Sequence, residues 1–503
     1  MTETNPEIKS PAIVIGSNGL ARVTGSIVIA LSALSQEYGS GINFVVPHGL
    51  GKYPEAENLV PLAIFVAGLV LIPGVVLFVR YARIMPTAGA SYVWLTRSLG
   101  PVIGFATAFM WLIGLCGSIG FVAYVSATFV GDTLQTMGLT AAWSESAVGH
   151  LTIGLMAIWS LTALHCSGVK RYGRFIYVVG AIVFIVALIT IYVCFSASSA
   201  VTAAKLAELT NIKATSQVAK PSIIAFFSTT ALFIFSYGGL DGGASLGGEA
   251  ANPTHSMPRG IIAGWTLALI LYTAVAFALF HAVPWWLAVP ILKSGQGHVL
   301  TVPFITGMLV SKPIAVIINI LVTVVVIKTL APQLLSASRY LYGWAEDEFI
   351  PSTVQSTNRF HVPALAVIIS AALGSLFLID GIFSGWEIGV AVRSFSIMLA
   401  FTMLGVGILA LAISLRLNSV RSFSDELTFG AAIKVAAVAS IVIGLPLMVI
   451  VAYEPGMKWY LQPWFQVLVT IAVSVGISML ARARYRYKYD VAFEQNFLNV
   501  PEQ

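Results

Sequence analysis

The chain has 503 residues, 58% of them hydrophobic and only 10% charged, with a mean hydropathy of +0.89. A soluble domain carries about 25% charged residues, and a disordered chain needs low hydrophobicity with high charge, so both classes are excluded. The net charge of +6 does not argue for nucleic acid, because the basic residues sit at the ends of long apolar runs. No segments of alternating polarity point to a membrane β-barrel, which leaves an all-α integral membrane protein in a lipid bilayer.

A crossing helix needs about 20 apolar residues, and twelve segments qualify: 23–48, 59–79, 102–130, 148–166, 175–195, 223–250, 260–283, 314–341, 364–379, 394–415, 433–453 and 463–479. Residues 1–21 are polar and lack the compact apolar region of a signal peptide. With the N-terminus inside, Lys and Arg number 17 at the inner ends (Lys9, Arg416 and Arg421 among them) and 8 at the outer ends (Lys213 and Arg393 among them). That bias places both termini in the cytoplasm and the chain in the cell membrane. The outer loop 196–220 is Ala/Ser/Thr-rich and predicts a short surface helix. The loop 284–303 carries Trp285 and Trp286, suited to an interfacial belt. Cys116, Cys166 and Cys194 lie in apolar stretches without metal-ligand spacing and read as small core residues. His165 and His281 read as packing or interfacial residues.

Two spans are interrupted. Span 1 contains Tyr38-Gly39-Ser40-Gly41-Ile42, and span 6 contains Ser236-Tyr237-Gly238-Gly239-Leu240-Asp241-Gly242-Gly243. Glycine in a helix interior costs about 1 kcal/mol relative to alanine, so such clusters predict unwinding. A plainer reading is close helix packing by small residues. The breaks lie five spans apart, and an odd offset makes the second half inverted relative to the first. Corresponding broken helices in two inverted halves point to a transporter's binding site. The freed N–H groups attract anions and the freed C=O groups attract cations, and a zwitterionic amino acid needs both. The glycine-rich floor of span 6 predicts room for a medium or bulky substrate side chain.

At these residues the chain resembles the amino acid–polyamine–organocation (APC) superfamily of permeases. Gly39-Ser40-Gly41-Ile42 is similar to the family's GSGI-F. Pro86-Thr87-Ala88-Gly89-Ala90-Ser91-Tyr92, then Gly100 and Gly104-Phe105, follow span 2, and Gly168-Val169-Lys170 ends span 4. Span 6 gives Phe235 to Asp241, then Glu249-Ala250-Ala251-Asn252-Pro253 and Met257-Pro258-Arg259. Ser338-Arg339-Tyr340-Leu341-Tyr342 and Asp347-Glu348-Phe349-Ile350-Pro351 follow span 8. Three positions depart from the family: Asn43 stands where a Phe is usual, Ala90 where a Gly is usual, and the stretch near Ile182 and Val183 has no Lys.

The resemblance implies a leucine-transporter-like fold, a five-plus-five inverted repeat with discontinuous helices 1 and 6 and two extra C-terminal helices. The chain then divides into an inner tail (1–22), a first repeat (23–195), an outer loop (196–222), a second repeat (223–415), two further spans (416–481) and a second tail (482–503). The resemblance also implies that the backbone N–H groups of Gly39, Ser40, Gly41 and Ile42 bind a substrate carboxylate. Carbonyls from Ser236 and Tyr237 to Gly238 and Gly239 would bind its amine, and Tyr237 falls at or next to the aromatic that closes over substrate.

Charges inside the bilayer cost about 2.5–3.5 kcal/mol each on insertion scales. Lys328 lies eleven residues before Arg339, about 16 Å along a helix, and so near mid-depth of span 8. In this fold its ammonium would stand against carbonyls such as Ser35 and Tyr38, where proton binding would couple to opening. A permanently charged staple is the plainer role. Glu37 is the expected partner of Lys328. Asp241 is expected to contact substrate, bond freed N–H groups or pair with Arg393. Glu249 is expected to order the inner loop.

The function read from the chain is a secondary active amino acid transporter, coupled to protons. The alternatives are an amino acid/amine exchanger or a transporter-like nutrient sensor. An intramembrane enzyme lacks its motifs. The reading involves no cofactor, no metal and no nucleic acid, with a monomer or homodimer as the unit.

Overall fold

The computed structural model describes residues 19–212, 220–385, 387–414, 424–453 and 457–497. Lys9, Lys213, Arg416 and Arg421 of the charge count, and most of the inner tail, lie outside the described residues. The chain enters through α1 (Ser26–Glu37), a π-type turn (Gly41–Val45) and α2 (Val46–Lys52). It returns through α3 (Val60–Val70) and α4 (Ile72–Ile84), which part where Pro73 lacks the N–H that would continue the ladder. α5 (Ser91–Leu99) lies across the end of the bundle where the chain begins, here the entry end. α6 (Pro101–Met137), α7 (Ala147–Cys166) and α8 (Val169–Ser196) follow, then the loop helix α9 (Ser199–Thr210).

The second half opens with α10 (Ile223–Phe233), a 3-10 turn (Ile234–Tyr237) and α11 (Leu240–Ala244). Next come α12 (Pro253–Ala282), the short α13 (Trp285–Lys293) and α14 (Val302–Met308), and a helix in two parts, α15 (Lys312–Ile327) and α16 (Leu330–Glu346). α17 (Ala364–Ser384), α18 (Glu387–Ser414), the short α19 (Ser424–Thr428), α20 (Ala431–Val451) and α21 (Pro463–Tyr489) complete the chain. No strand occurs among the described residues beyond an isolated bridge between Thr24 and Ala250.

Eleven helical stretches among the described residues are long and apolar enough to cross a membrane. The first expected span is not among them, because it is cut into pieces too short to count. Cys116 and Cys194 are buried, Cys166 is partly so, and all three are free thiols.

The glycines of the sixth span do not open a floor. A Cβ on Gly239 would collide with Glu37, one on Gly242 with Gln36 and Ser32, and one on Gly243 with Ile29. Gly260 and Gly264 of α12 press on the same helix α1, at Ile29 and at Ala30 and Ala33. Gly239, Gly242 and Gly243 are thus taken up by packing on α1, while a Cβ on Gly238 would meet Ile397 and Arg393. The glycines facing α1 form a seam along which α1, α11 and α12 approach to backbone distance, the close packing that small residues permit. Ala90, where the family has glycine, stands at φ 43°, a left-handed value in which a Cβ is strained.

The seam is testable. Gly264→Val should overpack it, at a cost of about 1–3 kcal/mol, and lower the melting temperature of detergent-purified protein. Gly476→Val, where nothing lies within 4 Å of the new Cβ, should leave it unchanged. Equal melting of both variants would refute the seam.

Candidate functional site

The last carbonyls of a helix have no partner within it, and in a bilayer no water replaces one. α1 ends at Glu37, and Tyr38 turns to an extended backbone (φ −74°, ψ 95°). The orphan acceptors are met in turn. The Leu34 carbonyl takes the Tyr38 N–H at 2.8 Å. The Glu37 carbonyl takes the Tyr272 hydroxyl, whose single proton is shared with the Ser236 carbonyl at 3.0 Å. The carbonyls of Ser35 and Tyr38 take the ammonium of Lys328, at 2.5 and 2.6 Å. Asn43, the departure from the family pattern, donates its side-chain amide to the Gly39 carbonyl at 2.8 Å.

Lys328 reaches this place because its own helix breaks beside it. Pro332 has no N–H for the Lys328 carbonyl, which instead takes the Ala331 N–H at 3.0 Å. Lys328 and Thr329 form the joint between α15 and α16, and the Thr329 side chain packs against Gly39. Lys328 is 1% exposed.

Glu37 does not pair with Lys328. Its two carboxyl oxygens are buried without a hydrogen bond among the described residues. The ammonium takes the carbonyls at positions 35 and 38, one turn apart. The Glu37 side chain leaves the helix toward Gly239, since successive residues project about 100° apart.

The second break holds the other charges. Asp241 accepts from Gln36 Nε2 at 2.7 Å, from Trp111 Nε1 at 3.1 Å and from Arg393 Nη2 at 3.2 Å. Both its oxygens are thus taken by the chain's own donors. The Gly238 carbonyl is likewise filled, by Gln36 Nε2 at 3.1 Å and by Arg393 Nη2. Arg393 was expected among the outer charges; it is 1% exposed and lies inside the bundle, because it sits two turns into α18.

Gly41 lies against Ser236, where an added Cβ would come within 2.5 Å of the hydroxyl, so the two breaks touch. The backbone at Ser40 is already helical (φ −62°, ψ −30°) and Gly41 and Ile42 fall in the π-type turn. The unwound part of span 1 is thus narrower than the 38–42 expected.

Tyr237 does not face this region. Its hydroxyl donates to the Ile64 carbonyl at 3.0 Å, and its ring packs on Tyr272 at 5.1 Å. The aromatic on the facing side is Phe235, edge-on to Phe121 of α6 at 5.3 Å. Phe235 and Tyr237 thus lie on different faces of the 3-10 turn, and it is Phe235, two positions before the residue read as at or next to the closing aromatic, that packs on α6.

Several residues here escaped the sequence. Gln36, Trp111, Ser118, Tyr272, Gln333 and Ser336 are ordinary letters in apolar runs. Gln333 donates to Ser118 at 2.8 Å, and Ser336 donates to Gln36 at 3.3 Å. Their only signal was polarity within a predicted span.

The entry end is closed by ion pairs. Glu249 pairs with Arg339, and its carbonyl takes the N–H groups of Val23 and Thr24 at 2.9 Å. Arg97 grips Asp347 with two bonds, at 2.5 and 2.8 Å, and Tyr92 adds a third at 2.6 Å. Phe349 stacks on Phe105 at 4.2 Å, with Phe493 and Phe497 against it.

A model of the amino acid permease family matches residues 38–491. Among curated proteins, solute carrier family 7 member 12 of Mus musculus is 24% identical, over 72% of this chain and 74% of its own length. A serine/threonine exchanger of Bacillus subtilis is 22% identical, over 72% and 77%. A branched-chain amino acid permease of the same organism is 23% identical, over 80% and 83%.

Removing one member of a buried ion pair costs about 3–5 kcal/mol, because the other is left unpaired. Glu249→Ala should therefore lower thermal stability strongly. The double variant Glu249→Gln with Arg339→Gln should recover part of the loss in the same melting assay. No loss in Glu249→Ala would mean that Glu249 acts through its backbone alone, and no recovery in the double variant would mean that the pair with Arg339 is not what the single change breaks.

Proposed function

The chain belongs to the amino acid permease family, and from that premise we propose a secondary active transporter that takes up amino acids by alternating access with proton coupling. The observation that carries the reading is the Lys328 ammonium bridging the Ser35 and Tyr38 carbonyls at the end of broken α1. A titratable cation there occupies the negative end of a helix dipole. While protonated, it holds α1 to the α15–α16 joint. Loss of the proton removes the charge-assisted part of that hold, worth about 1.5–3 kcal/mol per bond, and frees α1 to move. Glu37, buried and unpartnered beside Gly239, is the adjacent group that could take up the proton.

In this reading the twelve crossings are the eleven long apolar stretches, the interrupted sixth among them, and the broken first one. The two halves form the inverted repeat, with both termini in the cytoplasm. The backbone N–H groups at Gly39–Ile42 receive the substrate carboxylate. Its amine competes for the carbonyls of the second break, which the closed state fills with Tyr272, Gln36 and Arg393. The entry-end ion pairs are the inner gate, shut.

Exchange is the second reading. Two short bonds to Lys328 also suit a fixed staple that never releases its proton, and one relative is by name an exchanger.

Reconstitution separates the two. In liposomes without internal substrate, an imposed inward proton gradient should drive amino acid uptake. Lys328→Ala should abolish the response to the gradient while leaving binding measurable by thermal shift. An unchanged gradient response in that variant removes the coupling role. Uptake that requires internal substrate selects exchange.

A further inference from the structure

Arg393 is one of several buried charged groups with an unpartnered atom among the described residues, and the one that lies at the second break. Its Nη2 serves the Gly238 carbonyl and Asp241, and its plane lies over the Trp111 ring, 4.5 Å from the centroid. Its Nη1 is buried and has no acceptor among the described residues. Two further buried atoms nearby are unspent. The Gln333 side-chain oxygen has no partner while its nitrogen is committed to Ser118, and the Ser236 hydroxyl, against Gly41, has none either.

Two of these groups, Arg393 and Gln333, border one strip of α6. Trp111, Gly114 and Ser118 fall at positions i, i+3 and i+7 and share a helix face. Arg393 lies over Trp111, and a Cβ on Gly114 would come within 3.3 Å of the Arg393 Cα. Gln333 bonds Ser118 further along the same face. Buried polar groups in folded proteins are nearly always hydrogen-bonded, so an unspent donor and acceptor on one strip describe a ligand's complement.

We propose that Arg393 and Gln333 read the substrate side chain, and that the substrates are α-amino acids with a small, neutral, hydrogen-bonding side chain: a hydroxyl or a carboxamide. This rests on the transporter reading above. A cationic side chain would meet the guanidinium with like charge. A carboxylate would add a second anion beside a cation that Asp241 already neutralises, and an extra buried charge is costly. An aliphatic side chain would leave Nη1 and the Gln333 oxygen dry. A neutral hydroxyl or amide offers an acceptor for Nη1 and carries a hydrogen of its own for an acceptor such as the Gln333 oxygen, with no change in charge.

The test is a calorimetric binding panel on the purified full chain with serine, asparagine, alanine, leucine, lysine and aspartate. Serine and asparagine should bind at least about tenfold more tightly than alanine, the worth of one hydrogen bond to a charged group. In Arg393→Lys, which keeps a cation for Asp241 but loses the second nitrogen, the serine-to-alanine ratio should fall to near one. Wild-type preference for leucine, lysine or aspartate overturns the assignment, and so does an Arg393→Lys protein that weakens serine and alanine by the same factor. If Arg393→Lys does not fold, the wild-type ranking decides alone. Failure to bind any amino acid sinks the transporter reading itself, whereas a leucine or lysine preference sinks only the side-chain assignment.

Discussion

A helix that stops in the middle of a membrane leaves carbonyls with no water to bond, and most of the interior is arranged around that fact. Each unmet acceptor costs several kcal/mol in hydrocarbon. The end of α1 therefore has to be met by side chains from other helices: the ammonium of Lys328 from the α15–α16 joint and the hydroxyl of Tyr272 from α12. Those donors must in turn be positioned. Pro332 bends the eighth span where Lys328 emerges, and the glycines of α11 and α12 bring Tyr272 within reach. The break is less a flaw than the element that dictates which helices touch.

The second break follows the same rule with different donors. Its Gly238 carbonyl is covered by Gln36 and Arg393, and the Ser236 carbonyl by Tyr272. Tyr272 spans both breaks with one hydroxyl, and Gln36 of α1 bonds both Gly238 and Asp241. The second break is thus stabilised partly by a residue of the helix that carries the first. The buried charges sort by the same logic. Arg393 faces Asp241 and has a counterion; the Lys328 ammonium bonds only backbone carbonyls, and Glu37 lies against Gly239 with no ion pair among the described residues.

What could be read in the sequence was what departs from the average of a membrane span. Glycine clusters and a lone lysine stand out in apolar runs, so the breaks and Lys328 were legible, as was the resemblance carried by ordered motifs. Arg393 is just as charged, but it lies near the start of a run, and a count of loop charges absorbed it. Phe235 and Tyr237 show a different limit. Both are aromatic and two residues apart, and only the path of the 3-10 turn decides which faces α6. The glycines showed a third limit, because an absent side chain means open space or close packing according to what stands opposite. Ile29, Ala33 and Gln36 stand opposite here.

The packing also limits how the molecule can rearrange. α1 and α11 are joined along the glycine seam, and they are tied at the entry end by the Val23, Thr24 and Glu249 backbone bonds. Contacts at backbone distance cannot slide without collision, so the inner part of span 1 and α11 must travel as one body with α12. Besides apolar packing on α8, α4 and α3, this body is held to the rest by polar, local links: Lys328 on one side, Arg393 on the other, and Arg339 at the end. Each is a charge-assisted link that a single protonation or ligand contact can weaken, whereas the seam has no such weakness. In the proposed cycle the moving boundary therefore runs between α1 and the α15–α16 joint. It does not run between α1 and α11, although both carry broken ends.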